Sequence, residues 1–588
     1  MPKTALTSDQ LERLAADLEE LSFVADADDG GLYAERCAKA RRLLEVKLRF
    51  EAARGEDAPP LVVIAGGTNV GKSTIFNWVV GEAVASSSPL ARHTKAPTVY
   101  AHEGELAALG EGVFLPRYAR LELADKEDPA RERSEGAGAE AYFLLTHRRE
   151  EVAGVVLVDS PDIDSTHARN REVAEDLLFL ADAVLFVATP EKYNDALCVD
   201  YMRQAVSLDK GLVCVLNKGA DRSIEDDLRD VILPSLGGKG EKGLITLPYE
   251  PKPDPASDKV FREELQATVL RPREEASSLR AAALAGAERE LARDLEQLGA
   301  RLREELAELD RIRSEVELVL DAGRDQYERF LLGLEFYELD RVYERVLQEF
   351  RIPVLDHIYD GFRGAIGFVS SNIGRLVSGS APEDGRNAKL DARSEKDRLK
   401  LKELLGTARG AVLELPDRHT QVLRDAAAGW VEGLGAPSPE LLNEQIATYS
   451  KRADEASERW IEEQTRVHVE LIEQRPQLKV ALRTVKGVLQ IGFGLLSAKL
   501  TGGFGPWDVL IGSAAQAAVK PIIEAAGGHL HYQKIKAEFV SERAALFREL
   551  LAQSVAEPLD GKLPAGVAPA VLERLGEAQA ALSQGAGK

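Results

Sequence analysis

The sequence has no uninterrupted apolar run of about 18 residues, the length one helix needs to cross a bilayer core. A simple single-pass anchor is therefore not expected. Its opening stretch, MPKTALTSDQLERLAADLEEL, has no apolar core of the kind a secretory leader carries. Cysteine is scarce: Cys37, Cys198 and Cys214 show neither metal-ligand spacing nor a disulfide framework, which fits a reducing cytoplasm. Basic excess is missing too. Lys and Arg number 75 against 98 Asp and Glu, a formal charge of -23, which argues against a nucleic-acid partner. There is no short-period internal repeat. What remains is an ordinary water-compatible composition, 44 % hydrophobic and 29 % charged, over 588 residues. That length accommodates roughly two to four domains.

Residues 8–54 read as two helices. Ser8 is the expected N-cap of the first, with Leu11, Leu14, Leu18 and Leu21 on one face. After the turn GEDAPP, the short β-branched runs LVVIAGG, VVLVD, AVLFVAT and LVCVLNK alternate with helical stretches. This pattern predicts an α/β fold, a mostly parallel sheet with helices on both faces. The charged, Gly-rich segment 103–140 reads as an insertion between the second and third strands.

Beyond Arg271 the pattern becomes helical. Leu295, Leu302, Leu309 and Val316 repeat every seven residues, interleaved with Leu291, Leu298, Ile312 and Val319. That spacing describes one long coiled-coil-like helix, either within an intramolecular bundle or in an intermolecular coiled coil. The expected organisation is 1–57 N-terminal helices, 58–275 nucleotide domain, 276–475 helical stalk or bundle, 476–540 small-residue hairpin, and 541–588 C-terminal helices.

The chemistry is carried by Gly66-Gly67-Thr68-Asn69-Val70-Gly71-Lys72-Ser73, followed by Thr74. It fits G-x-x-x-x-G-K-[ST] between an apolar strand and a helical stretch, the context in which such a loop cradles phosphates. Glycines let backbone N–H groups turn inward, and the following helix adds its positive end. Lys72 is the expected partner of the β- and γ-phosphates, and Ser73 the expected Mg²⁺ ligand. Asp159, closing GVVLVD, is placed to hold the same metal through water.

Here the chain resembles the translation-factor-like superclass of P-loop GTPases. Asp159-Ser160-Pro161-Asp162 corresponds to the D-x-P-G motif, with Asp162 at the glycine whose N–H meets the γ-phosphate. Ile163 stands where Ras-like proteins carry a water-orienting glutamine. Asn217-Lys218-Gly219-Ala220-Asp221 resembles N/T-K-x-D with the aspartate one place late. A one-residue bulge would let Asp221 read guanine, with adenine as the alternative base. Thr94 in ARHTKAP resembles the switch threonine of dynamin-type proteins, with Thr98 as the alternative. The resemblance makes Thr94 a metal ligand and, with Lys72 and Asp159, a participant in catalysis. The phosphate loop is also similar to the Era and Der type, which implies a potassium ion at Asn69.

Between Lys479 and Lys536 seven basic side chains face two acidic ones, a net of +5 in a chain of -23. Small residues suit a close-packed hairpin. The basic face suits anionic lipid, and Phe493, Phe504 and Trp507 suit insertion at the interface. A buried hairpin at the bundle core is the alternative. The whole plan resembles bacterial dynamin-like proteins. That resemblance implies a GTPase that binds GTP or GDP with Mg²⁺, self-associates through its G domain, and acts in the cytoplasm or peripherally at the inner face of a membrane. A soluble regulatory GTPase with a protein partner, or a nucleotide-binding scaffold with little hydrolysis, are the competing functions.

Overall fold

The short, β-branched apolar runs pair as a sheet, which satisfies their backbone groups while their side chains are buried on both faces. The computed structural model describes residues 4–23, 31–82, 84, 96–123, 141–165, 168–219, 222–238, 242–249, 259–350, 383–415, 439–484, 522, 529–560 and 568–585. Thr94, Asp221 and most of the hairpin expected over 476–540 lie outside these residues. The described chain forms two compact units, 1–306 with 566–588, and 307–565.

The first unit is built on eight strands: β1 (Leu61–Gly66), β2 (Thr98–His102), β3 (Ala119–Leu123), β4 (Ala141–His147), β5 (Val156–Asp159), β6 (Ala183–Ala188), β7 (Gly211–Leu216) and β8 (Lys242–Thr246). Their order is β3-β4-β2-β5-β1-β6-β7-β8. Every described pairing is parallel except β2 with β5. The interior strands β5, β1 and β6 are buried along their whole length, as a sheet covered on both faces requires. This is the α/β nucleotide-domain fold with a mostly parallel sheet.

Two local readings are corrected. Thr7, not Ser8, caps the first helix (Ser8–Glu20): its hydroxyl accepts from the Gln10 N–H while its own N–H donates to Gln10 Oε1 at 2.9 Å. That reciprocal box satisfies two donors at once, which a cap at Ser8 would not. The segment 103–140 is not wholly insertion, because residues 119–123 add β3 to the sheet edge. Arg120 and Glu122 leave β3 polar and half-exposed, the property that hid it from a hydrophobicity reading and that suits an edge strand.

The N-terminal helices and the C-terminal helix Pro569–Gly585 share one core with the sheet. Leu11, Leu14, Leu43, Leu48, Phe186, Leu295, Leu575 and Leu582 belong to the same buried cluster. The opposite face of the sheet packs Phe76, Trp78, Ile64 and Val187.

The described secondary structure of the second unit is helical: Tyr337–Glu349, Glu383–Leu413, Pro439–Glu473 and His529–Leu551 pack around Tyr327, Phe336, Tyr449, Trp460, Phe539 and Phe547. One continuous helix, Ala276–Leu332, belongs to both units. Over 57 residues it is about 86 Å long. Its heptad side chains Leu291 to Leu302 are buried in the core of the first unit, and Leu309, Ile312 and Val316 in that of the second. The seven-residue repeat therefore serves the chain's own cores. No helix among the described residues is long and apolar enough to cross a membrane.

Candidate functional site

The sheet delivers the site at the C-terminal ends of β1, β5, β6 and β7, where a parallel α/β fold opens its crevice. β1 ends at Gly66, where a Cβ would run into the Val187 carbonyl oxygen of β6. Gly71 sits at φ 96° as the cap of helix Lys72–Val80, with the Asn217 amide 2.5 Å from the place a Cβ would occupy. Left-handed backbone and this close approach both demand glycine. The loop between them is thus dictated by sequence.

Beneath the loop, the Ser73 hydroxyl donates to Asp159 Oδ2 at 2.9 Å. Asp159 is 1 % exposed and register-paired with Ile64 of β1. Two hard oxygen donors converge here, a donor set that suits Mg²⁺ sharing its remaining positions with phosphate and water. No group of three or more His, Cys, Asp or Glu side chains among the described residues could hold a metal alone.

Lys72 Nζ donates to the Gly67 carbonyl at 2.9 Å and is ion-paired with Asp162. The carboxylate at the glycine position of the D-x-P-G pattern thus lies on the phosphate-loop lysine. Asp164, two residues on, accepts from both the N–H and the hydroxyl of Thr68 at 2.7 Å each. Its second oxygen pairs with Lys192. Burial opposes the Asp164 charge, but the hydrogen bonds from Lys192 and Thr68 outweigh it and hold the carboxyl below its ordinary range.

Across the loop, Asn217 Nδ2 donates to the Val70 carbonyl at 2.8 Å, and Asn217 Oδ1 accepts from the Lys218 N–H at 3.0 Å. Lys218 adopts φ 60°, and its ammonium reaches the Asn69 carbonyl at 3.3 Å. The end of β7 is therefore tied to the phosphate loop from Asn69 to Gly71. Asn69 itself is left-handed at φ 63° and exposed.

Lys72, Ser73, Asp159, Asn217 and Lys218 come together around the loop Gly66–Thr74. Thr98, the alternative switch threonine, is instead buried in β2 opposite Asp159. Asp164 and Lys192 went unnoticed in the sequence. A second acid behind D-x-P-D is a detectable sign, whereas Lys192 has none. It is fixed by the turn after β6, where its N–H donates to the Thr189 carbonyl at 2.9 Å. Cys198 brings no nucleophile to the site. Burial, reinforced by Asp195 and Asp164, pushes its thiol up to about 11.

Comparison with known proteins agrees with this geometry over the first unit. Residues 61–218 match the family model described as 50S ribosome-binding GTPase. That match identifies a P-loop GTPase domain. No curated protein sequence matches the chain. Two solved structures concern an oligomerised bacterial dynamin pair and long-range sensing and tethering of membranes. One is 12 % identical with TM-score 0.40, covering 99 % of this chain and 95 % of its own. The other is 13 % identical with TM-score 0.43, covering 96 % of each. At scores this low the likeness carries no fold assignment of its own.

Proposed function

We propose that the chain is a Mg²⁺-dependent GTPase of dynamin-like type that links the nucleotide at Gly66–Thr74 to its helical region. The carrying observation is the Ser73–Asp159 pair beneath a glycine-framed loop, within residues that match a GTPase family model. In this reading Lys72 and the loop N–H groups hold the β- and γ-phosphates, and Ser73, Asp159 and Thr94 hold the metal. Bound Mg²⁺ supplies charge neutralisation between the phosphates. Asn217 stiffens the loop, Lys218 flanks the base, and Asp221 reads guanine. Asn69 is the proposed potassium ligand.

Coupling is supported by helix Ala276–Leu332, one unbroken element that contributes to both cores. Self-association through the G domain and contact of the basic hairpin with anionic lipid complete the proposal. The net charge of +5 between Lys479 and Lys536 is its support. A low-turnover reading is favoured by one specific contact, Asp162 on Lys72.

The test is binding of a fluorescent GTP analogue, turnover, and flotation on anionic liposomes with GTP. Lys72→Ala should weaken binding by about 2–4 kcal/mol, since it removes the ammonium facing two phosphates. Equal binding by variant and parent refutes the phosphate-loop assignment. Absence of flotation refutes the membrane component and leaves a soluble regulatory GTPase.

A further inference from the structure

Four charged side chains meet at the mouth of the phosphate loop in two pairs, Lys72 with Asp162 and Lys192 with Asp164. Lys72 and Asp162 fall within recognised motifs, whereas Lys192 and Asp164 do not. We infer that Lys192 is a second phosphate-contacting lysine of the site, and that the Asp164 carboxylate holds the place its phosphate partner takes. The inference rests on the phosphate-loop reading above and adds a residue to it.

Asp164 Oδ1 takes two donors of the loop, the Thr68 N–H and the Thr68 hydroxyl, both at 2.7 Å. Its Oδ2 takes the Lys192 ammonium. A phosphate oxygen recruits these same donor types, backbone N–H and ammonium. An anion that claims the Thr68 N–H must therefore displace Asp164, and displacement leaves the Lys192 ammonium facing the anion that replaced it.

The Lys192 stem already lies along the loop. A Cβ built on Gly67 would meet Lys192 Cδ at 3.4 Å and Asp164 Oδ2 at 3.0 Å. Only the end of the side chain has to turn. Its base is held by the Lys192 N–H to Thr189 carbonyl bond and by the Lys192 carbonyl, which accepts from the Asp195 N–H at 3.2 Å. Asp195 in turn caps helix Ala196–Ser207. The lysine is thus anchored by β6 and the helix after it, not by the segment that carries Asp164.

Charge favours the same exchange. With both carboxylates in place the four groups sum to zero. A polyphosphate would meet Asp162 and Asp164 as like charges, so residues 162–164 must withdraw as it enters. Their withdrawal leaves Lys72 and Lys192 as two cations for one polyanion.

A purely structural role for Lys192, pinning Asp164, makes the opposite prediction, and a double-mutant cycle separates the two. The full-length protein is titrated with a fluorescent GTP analogue and Mg²⁺ at several salt concentrations, for Asp164→Asn, Lys192→Met, the double variant and Lys72→Ala. Asp164→Asn removes the competing charge and should tighten binding severalfold. In that background Lys192 has no carboxylate to pin, so Lys192→Met reports its phosphate contact alone. It should weaken binding about tenfold or more, the worth of one charged hydrogen bond, and flatten the salt dependence. A double variant that binds as tightly as Asp164→Asn alone overturns the inference. Thermal melts without nucleotide establish that each variant is folded, and Lys192→Gln replaces Lys192→Met if the latter unfolds. Parent binding that is indifferent to Lys72→Ala overturns the phosphate-loop reading itself. A normal Lys72→Ala loss with no Lys192 effect overturns only the present inference.

Discussion

Asp182, at the opposite end of the strands from the nucleotide loop, should be among the most stability-sensitive carboxylates of the first unit. It is fully buried and accepts from Lys47 Nζ at 2.6 Å, Arg54 Nη1 at 3.1 Å and the Leu61 N–H at 2.9 Å. Glu51, also buried, accepts from Arg54 and from two nitrogens of Arg280 at 2.6 and 2.9 Å. Three cations thus share two carboxylates. Asp182→Asn leaves three cations with one, and turns one acceptor into an amide donor facing existing donors. Breaking a buried ion pair in this way costs about 3–5 kcal/mol. Burial opposes the Asp182 charge, but Lys47 and Arg54 hold its carboxyl well below the usual range. The contribution is therefore complete above an unfolded carboxylate's value of about 3.9 and is lost as pH falls toward the lower folded value. Between pH 5 and 8 the gap between parent and variant should stay constant, and it should narrow below about pH 4. Calorimetry of the first unit's transition measures it. Nucleotide affinity at low temperature should survive, because the loop lies five residues along β1, about 17 Å away. A variant within about 1 kcal/mol of the parent would refute the network's role.

Two further outcomes are expected. His147 stacks on Tyr100 with ring centroids 4.2 Å apart, and its Nδ1 accepts from the Arg149 N–H. Burial, with the charges of His102 and Arg149 against a smaller opposing effect of Glu82, pushes its pKa down to about 4. The unfolded chain binds that proton near 6.5, so stability falls as pH drops from about 6.5 toward 4. His147→Phe keeps the stacked ring and should shrink the loss of melting temperature between pH 7 and 5; an unchanged loss counts against the assignment. Asp221→Asn should gain affinity for xanthosine triphosphate while losing it for GTP, measured by competition, and no gain would show that Asp221 does not read the base.

Residues that obey a local rule were legible in the sequence. Gly66 to Ser73 follow from the fixed needs of a phosphate-cradling turn, and the buried strands β1, β5, β6 and β7 from runs too apolar to sit anywhere else. Asp159 and Asn217 could be placed because each ends such a strand. What escaped depended on tertiary partners. The edge strand β3 is polar by virtue of its position. Gly286 looks like a weak point in a long helix, yet a Cβ there would collide with the Leu208 carbonyl, so glycine is what lets the helix approach the sheet domain. Arg280 and Glu51 are 229 positions apart, and no periodicity links them.

The site and the buried ion network occupy opposite ends of the same strands, and this separation is itself informative. At the N-terminal ends, Lys47, Glu51, Arg54, Asp182 and Arg280 exclude water and leave each charge with fixed partners. Arg280 lies on the helix that continues to Leu332, so this cluster fastens that helix to the sheet. At the C-terminal ends, Asp162 and Asp164 are only partly covered, and each pairs with a lysine that a phosphate could claim. A pair buried with no access to water is costly to break, whereas a pair that keeps some contact with solvent costs less to separate. In the proposed reading the sheet domain has fixed partners where it grips the long helix and exchangeable ones where a nucleotide would enter. That asymmetry is what a domain needs if a change of charge at the loop is to move residues 160–165 without loosening the helix anchored behind them.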